Sequence, residues 1–182
     1  MQTTTKSDIE HGQLVTGLFP DRSSAEKAYS GITDRGYGKD DINVVMSDET
    51  RKLHFDSTTV GKETELGNKA AEGAGIGGAI GGTVAGIAAA IAAVGSNLVL
   101  PGLGLVIAGP LAAGVAGVGA GALGGGIIGA LVGWGMPEER VKHYEEGIKK
   151  GGILMGVRAK NADDANHFES NWRTNNGQEV YR

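Results

Sequence analysis

At 182 residues the chain holds enough for one ordinary domain, or for a small domain carrying a large insertion. With 17 basic against 21 acidic residues and a formal charge of −4 it has no dominant basic stripe, which disfavours a nucleic-acid role, and the lack of cysteine removes disulfides, thiolate metal sites and cysteine nucleophiles together. The 33 glycines, set against three Phe and two Trp, point either to disorder or to very close backbone packing, and where they fall decides between the two.

Residues 1–12 show no basic stretch followed by an apolar one and are expected to be a short disordered lead rather than an export signal. Residues 13–68 have ordinary globular patterning. The run from Gln13 to Phe19 reads as a strand, and Pro20-Asp21 opens a helix in which Ser23 and Glu26 have capping-box spacing and Ala25, Ala28 and Ile32 share a face. Arg35-Gly36-Tyr37-Gly38 stops that helix, and Asp41 to Met46 gives the next strand. Ser47 to Asn68 is expected as a polar connector with a weak extended piece around Leu53 to Phe55.

Residues 69–135 carry the most distinctive pattern. Between Glu72 and Glu138 there are 65 residues without Asp, Glu, Lys or Arg, and they hold 21 of the glycines. The remainder is mainly Ala, Val, Ile and Leu, so the segment must be buried somewhere. Gly117, Gly121, Gly125, Gly129 and Gly133 are spaced by four; Gly73, Gly77 and Gly81 form a second line, with Gly78, Gly82 and Gly86 beside it. Residues four apart share a helix face, so these lines make flat grooves along which another helix can approach closely. Each glycine costs roughly 0.8 to 1.0 kcal/mol against alanine in a helix, so packing or an apolar surrounding must compensate.

Pro101-Gly102 and Gly109-Pro110 break the run and are expected as hairpin turns between two helical arms, Glu72 to Val94 and Pro110 to Trp134, with Leu98 to Ala108 as the connecting piece. Arms of this length reach about 35 Å, enough for a bilayer core of about 30 Å. Trp134 would then suit a membrane-interface anchor, and the lysines and arginines flanking the arms would leave both chain ends in the cytoplasm. The alternative is that the arms bundle inside a soluble oligomer and never meet lipid.

Residues 136–182 return to globular patterning. Pro137-Glu138-Glu139 starts a helix with Val141, Tyr144 and Ile148 on one face, Gly151-Gly152 ends it, and Ile153 to Ala159 is a third strand. Asn161 caps a last helix with Ala165, Phe168 and Trp172 on one face, and Gly177 to Arg182 could add a short edge. Aligning Ile32 with Ile148 brings Gly36 onto Gly152, a pseudo-repeat that suggests the halves of a ferredoxin-like sandwich. The expected fold class is α+β: a ferredoxin-like sandwich interrupted by a long glycine-rich apolar helical hairpin.

The order of strand, Pro20-Asp21 helix, Asp41-Ile-Asn-Val-Val45 strand, hairpin with Leu100-Pro101-Gly102-Leu103-Gly104 and Ala108-Gly109-Pro110-Leu111, then Gly135-Met136-Pro137-Glu138-Glu139 and Tyr144-Glu145-Glu146-Gly147, resembles bacterial general stress proteins of the heat-induced, YflT-like kind over roughly residues 13–160. That resemblance implies a ferredoxin-like domain split by the hairpin, a bacterial origin and a stress association without a defined activity.

Site chemistry is sparse. The match to a dinucleotide glycine pattern at Gly119 to Gly124 is expected by chance in so glycine-rich a segment. His11, His54, His143 and His167 lack metal-ligand spacing; Glu138, Glu139, Glu145 and Glu146 read as surface charge; Ser23-Ser24 has no triad partners. The expectation is a protein that is not an enzyme, with no cofactor and no small-molecule substrate, whose partners are itself and membrane lipid. It would sit in a bacterial inner membrane, or in the cytoplasm as a soluble assembly.

Overall fold

The computed structural model describes residues 12–55, 98–100, 104–112 and 126–182. They form a mixed α+β unit: β1 (Gln13–Phe19), α1 (Arg22–Thr33), β2 (Ile42–Ser47), α2 (Asp48–Phe55), β3 (Leu98–Leu100), β4 (Leu105–Ala108), α3 (Gly126–Gly133), α4 (Glu138–Lys149), β5 (Ile153–Ala159), α5 (Ala162–Thr174) and β6 (Gln178–Tyr181). One antiparallel sheet takes the order β3-β4-β2-β5-β1-β6.

Helix starts follow from short polar side chains. Asp21 is extended (φ −147°, ψ 164°) and its Oδ1 accepts the Ser24 N–H at 2.8 Å, so the cap of α1 is Asp21 with Ser24 rather than the expected Ser23 with Glu26. Glu26 instead pairs with Arg22 one turn back, at 2.5 Å. Asn161 caps α5 as expected, accepting the Asp164 N–H at 2.8 Å. Residues 53–55, expected as an extended piece, belong to α2. The Ser47 hydroxyl accepts the Thr50 N–H at 3.0 Å, and Asp48 bridges Arg51 at 2.9 Å and Lys52 at 2.6 Å, so local polar contacts wind this apolar-poor stretch into a helix.

The strands bury both faces. Val15, Phe19, Val44, Met46, Met155 and Val157 point to the layer made by α1 and α5; Leu18, Val45, Leu105, Ile107 and Leu154 point to the layer made by α3 and α4. The first layer centres on fully buried Trp172, whose ring meets Phe19 edge-on at 5.5 Å. Burial of each such ring contributes about 1.5–3 kcal/mol.

This arrangement corrects the pseudo-repeat. Ile32 and Ile148 lie in the two different layers, so α4 is not the counterpart of α1. β1 and β2 each run antiparallel to β5 and hence parallel to each other, with α1 joining them; β5 and β6 likewise flank β1, with α5 joining them. The partner of α1 is therefore α5, and the two lie against each other on one face. Ala165, Phe168 and Trp172 have the same apolar spacing as Val141, Tyr144 and Ile148, and spacing alone does not reveal which face a helix covers.

The edge strand β6 is irregular. Thr16 opposes Tyr181 and Leu18 opposes Gln178, so β6 holds one residue more than β1 across the same stretch, a β-bulge in which Glu179 adopts φ +47°. Just before it, Asn176 (φ +62°) turns the chain out of α5, and the Gly177 N–H closes the helix end on Trp172 O at 2.7 Å.

Of the segment expected to connect two helical arms, Leu98–Leu100 and Leu105–Ala108 are instead a strand pair at one border of the sheet. Leu100 opposes Leu105, and β4 runs along β2 from Val44↔Ala108 to Ser47↔Leu105. Leu105, Ile107 and their alternating neighbours Val106 and Ala108 are buried on opposite faces, a pattern that suits a strand covered on both sides.

Candidate assembly surface and polar clasps

The second arm can be followed at both of its ends. At its start, Gly109 (φ +101°) is buried against β2, where a Cβ would overlap Ile42 O and lie 2.9 Å from Asn43 Cα. Asn43 Oδ1 then accepts the Leu111 N–H at 2.6 Å, so a strand side chain caps the helical turn that Pro110 opens. Gly109 and Pro110 are thus a strand-to-helix crossing rather than the hairpin turn expected of them; Pro101 and Gly102 lie outside the described residues.

At the other end, α3 docks through Leu131, fully buried, and through Trp134 just beyond it. Trp134, expected as a membrane-interface anchor, is 9% exposed and covers Gly156 of β5; a Cβ on Gly156 would overlap the ring and come within 2.6 Å of Cζ3. The indole is a core group here, held because Gly156 leaves it room. The opposite side of α3 is open: Val132 is 42% exposed, and nothing lies within 4 Å of a Cβ built on Gly133. Gly129 is half-buried. Gly73, Gly77, Gly78, Gly81, Gly82, Gly86, Gly117, Gly121 and Gly125 lie outside the described residues.

Two polar clasps hold the layers to the sheet. Asp164, itself nearly buried, accepts from Arg35 at 2.9 Å, Tyr37 Oη at 2.7 Å and Asn161 Nδ2 at 2.9 Å, while Tyr37 Oη accepts the Lys160 N–H at 2.7 Å. This ties the loop after α1 to the start of α5. On the other face, Tyr144 donates to Glu179 O at 2.7 Å, which leaves the Thr16 hydroxyl, 2.8 Å away, as the donor to the phenol oxygen. The bulged carbonyl of β6, turned out of the ladder, is satisfied by a helix side chain beneath it.

Comparison with protein-family models, with curated proteins and with solved structures finds no match for this chain. The resemblance to general stress proteins therefore rests on the motifs quoted above.

Among the described residues no group of three or more His, Asp or Glu side chains is placed to hold a metal ion. Glu138 pairs with Lys142 at 3.3 Å and Glu145 with Lys149 at 2.7 Å along the exposed side of α4, and His143 is exposed beside them. A shallow depression on α5, lined by Asn166, Glu169, Ser170, Arg173 and Thr174, is open to solvent.

The clasps make alkaline stability a readout of tyrosine burial. Burial pushes Tyr37 up to about 12 from 10.0, with the Lys160 N–H drawing it back and Asp164 adding to the rise. Burial also raises Tyr144 and Tyr29. The fold favours the neutral phenols, so their contribution is fully present below pH 10.0, the unfolded value, and is lost as pH rises above it, for Tyr37 towards about 12. Urea midpoints should be level on the neutral side and fall beyond that point, and Tyr37→Phe should flatten part of the fall; an unchanged slope in that variant would show that Tyr37 does not titrate with unfolding.

Proposed function

We propose that this chain is a non-enzymatic, self-associating protein in which a folded α+β unit presents glycine-lined helical arms to other copies. The observation that carries this is the open glycine end of α3: the helix spends Leu131 on its own core, while Val132 is 42% exposed and nothing lies within 4 Å of a Cβ built on Gly133. Gly133 ends the five-residue line that starts at Gly117, so a face built for close helix approach is the one left free at its described end.

Association in water is favoured over a bilayer-spanning hairpin. A spanning hairpin needs its tip on the far side of the membrane from its ends. The tip expected from the sequence is β3 and β4, which pair in the same sheet that β2 and β5 complete. In the second arm 15 residues separate buried Ala112 from Ile128, which packs against the core that the sheet shares with α3 and α4. That is a reach of about 22 Å even if wholly helical, against a bilayer core of about 30 Å. The first arm lies outside the described residues. Among the described residues no helix is long and apolar enough to cross a membrane.

Support for a ferredoxin-like core comes from the order β6-β1-β5-β2 with α1 and α5 on one face. On this view β3, β4, α3 and α4 belong to the insertion, and α3 and α4 cover the face that such a two-layer sandwich leaves bare. With the motif resemblance, we read the assembly as part of a bacterial stress response.

The test uses Gly133→Leu. Because nothing lies within 4 Å of the added Cβ, the unit itself should fold unchanged, while the groove is filled. After expression, membrane and cytosol are separated, the membrane is washed with carbonate, and the mass of the soluble protein is measured by light scattering. A soluble particle many times 18.6 kDa that shrinks in Gly133→Leu and in Gly125→Leu is the expected result. Retention in washed membrane, or a particle size indifferent to both variants, would sink the proposal.

A further inference from the structure

The connection between α5 and β6 carries a reactive pair. Asn176-Gly177 is an asparagine followed by the one residue whose backbone nitrogen has no neighbouring side chain to shield it. In such a pair the Gly177 nitrogen can attack Asn176 Cγ. It gives up its proton to solvent base, the new N–Cγ bond closes a succinimide, and the Cγ–Nδ2 bond breaks with loss of ammonia. Water then opens the ring at either carbonyl to leave aspartate or isoaspartate. Solvent supplies every co-reactant.

In the folded chain that nitrogen is occupied. The Gly177 N–H donates to Trp172 O at 2.7 Å, and the left-handed turn at Asn176 (φ +62°) aims it into the end of α5 rather than at its own side chain. A Cβ on Gly177 would sit 2.6 Å from Trp172 O, so the close approach that makes residue 177 glycine also makes the pair reactive once it is released. Asn176 itself is exposed, so solvent reaches the amide without hindrance.

What keeps the nitrogen in place is β6. Val180 is buried in the core, its carbonyl accepts from Arg173 at 3.3 Å, Arg182 pairs with Glu169 at 3.0 Å, and Tyr144 holds Glu179 O at 2.7 Å. Against these stand two non-glycine residues at positive φ, Asn176 and Glu179, each a local cost. We propose that Asn176 is a modification site gated by this strand: docked β6 protects it, and each release of β6 exposes it to conversion into aspartate or isoaspartate. Conversion to isoaspartate lengthens the backbone by one carbon inside the turn, so the Trp172 cap and the bulge register do not both re-form, and β6 stays loose. The site then records, irreversibly, how often the edge strand has opened.

The test follows the mass gain of amide-to-acid conversion at Asn176 by peptide mass spectrometry, during incubation at mildly alkaline pH. Three samples are compared: the full chain, its Tyr144→Phe variant, and a synthetic peptide of residues 170–182 as the unprotected reference. Protection by local opening predicts conversion in the full chain at least about tenfold slower than in the peptide. Tyr144→Phe, which keeps the ring and removes the bonds to Glu179 O and to the Thr16 hydroxyl, should speed it several-fold. Near-ultraviolet circular dichroism of the variant separates a loosened strand from a lost fold; should the variant unfold, Arg182→Ala, which removes the surface contacts to Glu169 and Asn166, takes its place. Equal rates in chain and peptide, no conversion in the peptide, or folded variants indistinguishable from wild type would each overturn the gate.

Discussion

Gly156→Ala is expected to destabilise the protein by about 3 kcal/mol, an overpacking cost at the upper end of the usual range, lowering the melting temperature by about 6–12 °C. The added methyl would overlap the Trp134 ring, on a strand paired on both sides and therefore unable to step back: Gly156 opposes Thr16 on β1 and Asn43 on β2. Trp134→Ala should cost about 3–5 kcal/mol through the cavity it leaves. The combination is the informative measurement. Removing the ring makes room for the methyl, so the double variant should be more stable than the two single losses added together, by about 2 kcal/mol. Strict additivity in urea melts would mean that Trp134 does not pack on Gly156, and would restore the indole to the surface.

The second large effect is expected at Asp164. Its carboxylate is the shared acceptor for Arg35, Tyr37 and Asn161, and the Tyr37 hydroxyl that depends on it is also buried. Asp164→Ala leaves that phenol without its acceptor and should cost about 2–3 kcal/mol. Arg35, with 40% of its side chain exposed, can turn to water, so Arg35→Ala should cost under about 1 kcal/mol. If the two losses prove equal in thermal melts, the clasp is held by the ion pair rather than by the buried phenol.

Much of the unit could be read along the chain where one local cause dominates. The Asn161 cap, the Val141-Tyr144-Ile148 face and the Gly151-Gly152 stop are each decided within a turn of helix, and all appear in the structure. Misreadings occur where a distant partner decides. Leu105 to Ala108 is apolar and glycine-flanked whether it bridges two helices or fills a sheet, and only the ladder to Val44–Ser47 selects the strand. Trp134 beside an apolar arm has the same local sequence as an interfacial anchor; the glycine that receives it lies at position 156. The polar clasps were invisible for the same reason: Tyr37 and Asp164, or Thr16 and Tyr144, meet across more than a hundred residues. The glycine period, by contrast, was plain, yet for most of its members the contacts lie outside the described residues.

The bulge at Glu179 also bears on how this sheet can meet a neighbouring one. Sheets propagate when both outer strands offer a straight, unspent row of backbone donors and acceptors to the next molecule. On one side of this sheet the outer strand is kinked by a left-handed glutamate whose carbonyl is already taken by Tyr144, and it ends in the Arg182–Glu169 pair. While β6 is docked, growth through that border is disfavoured; among the described residues the other outer strand is β3. The irregular strand thus guards one sheet border, while close-packing glycine belongs to the helical arms.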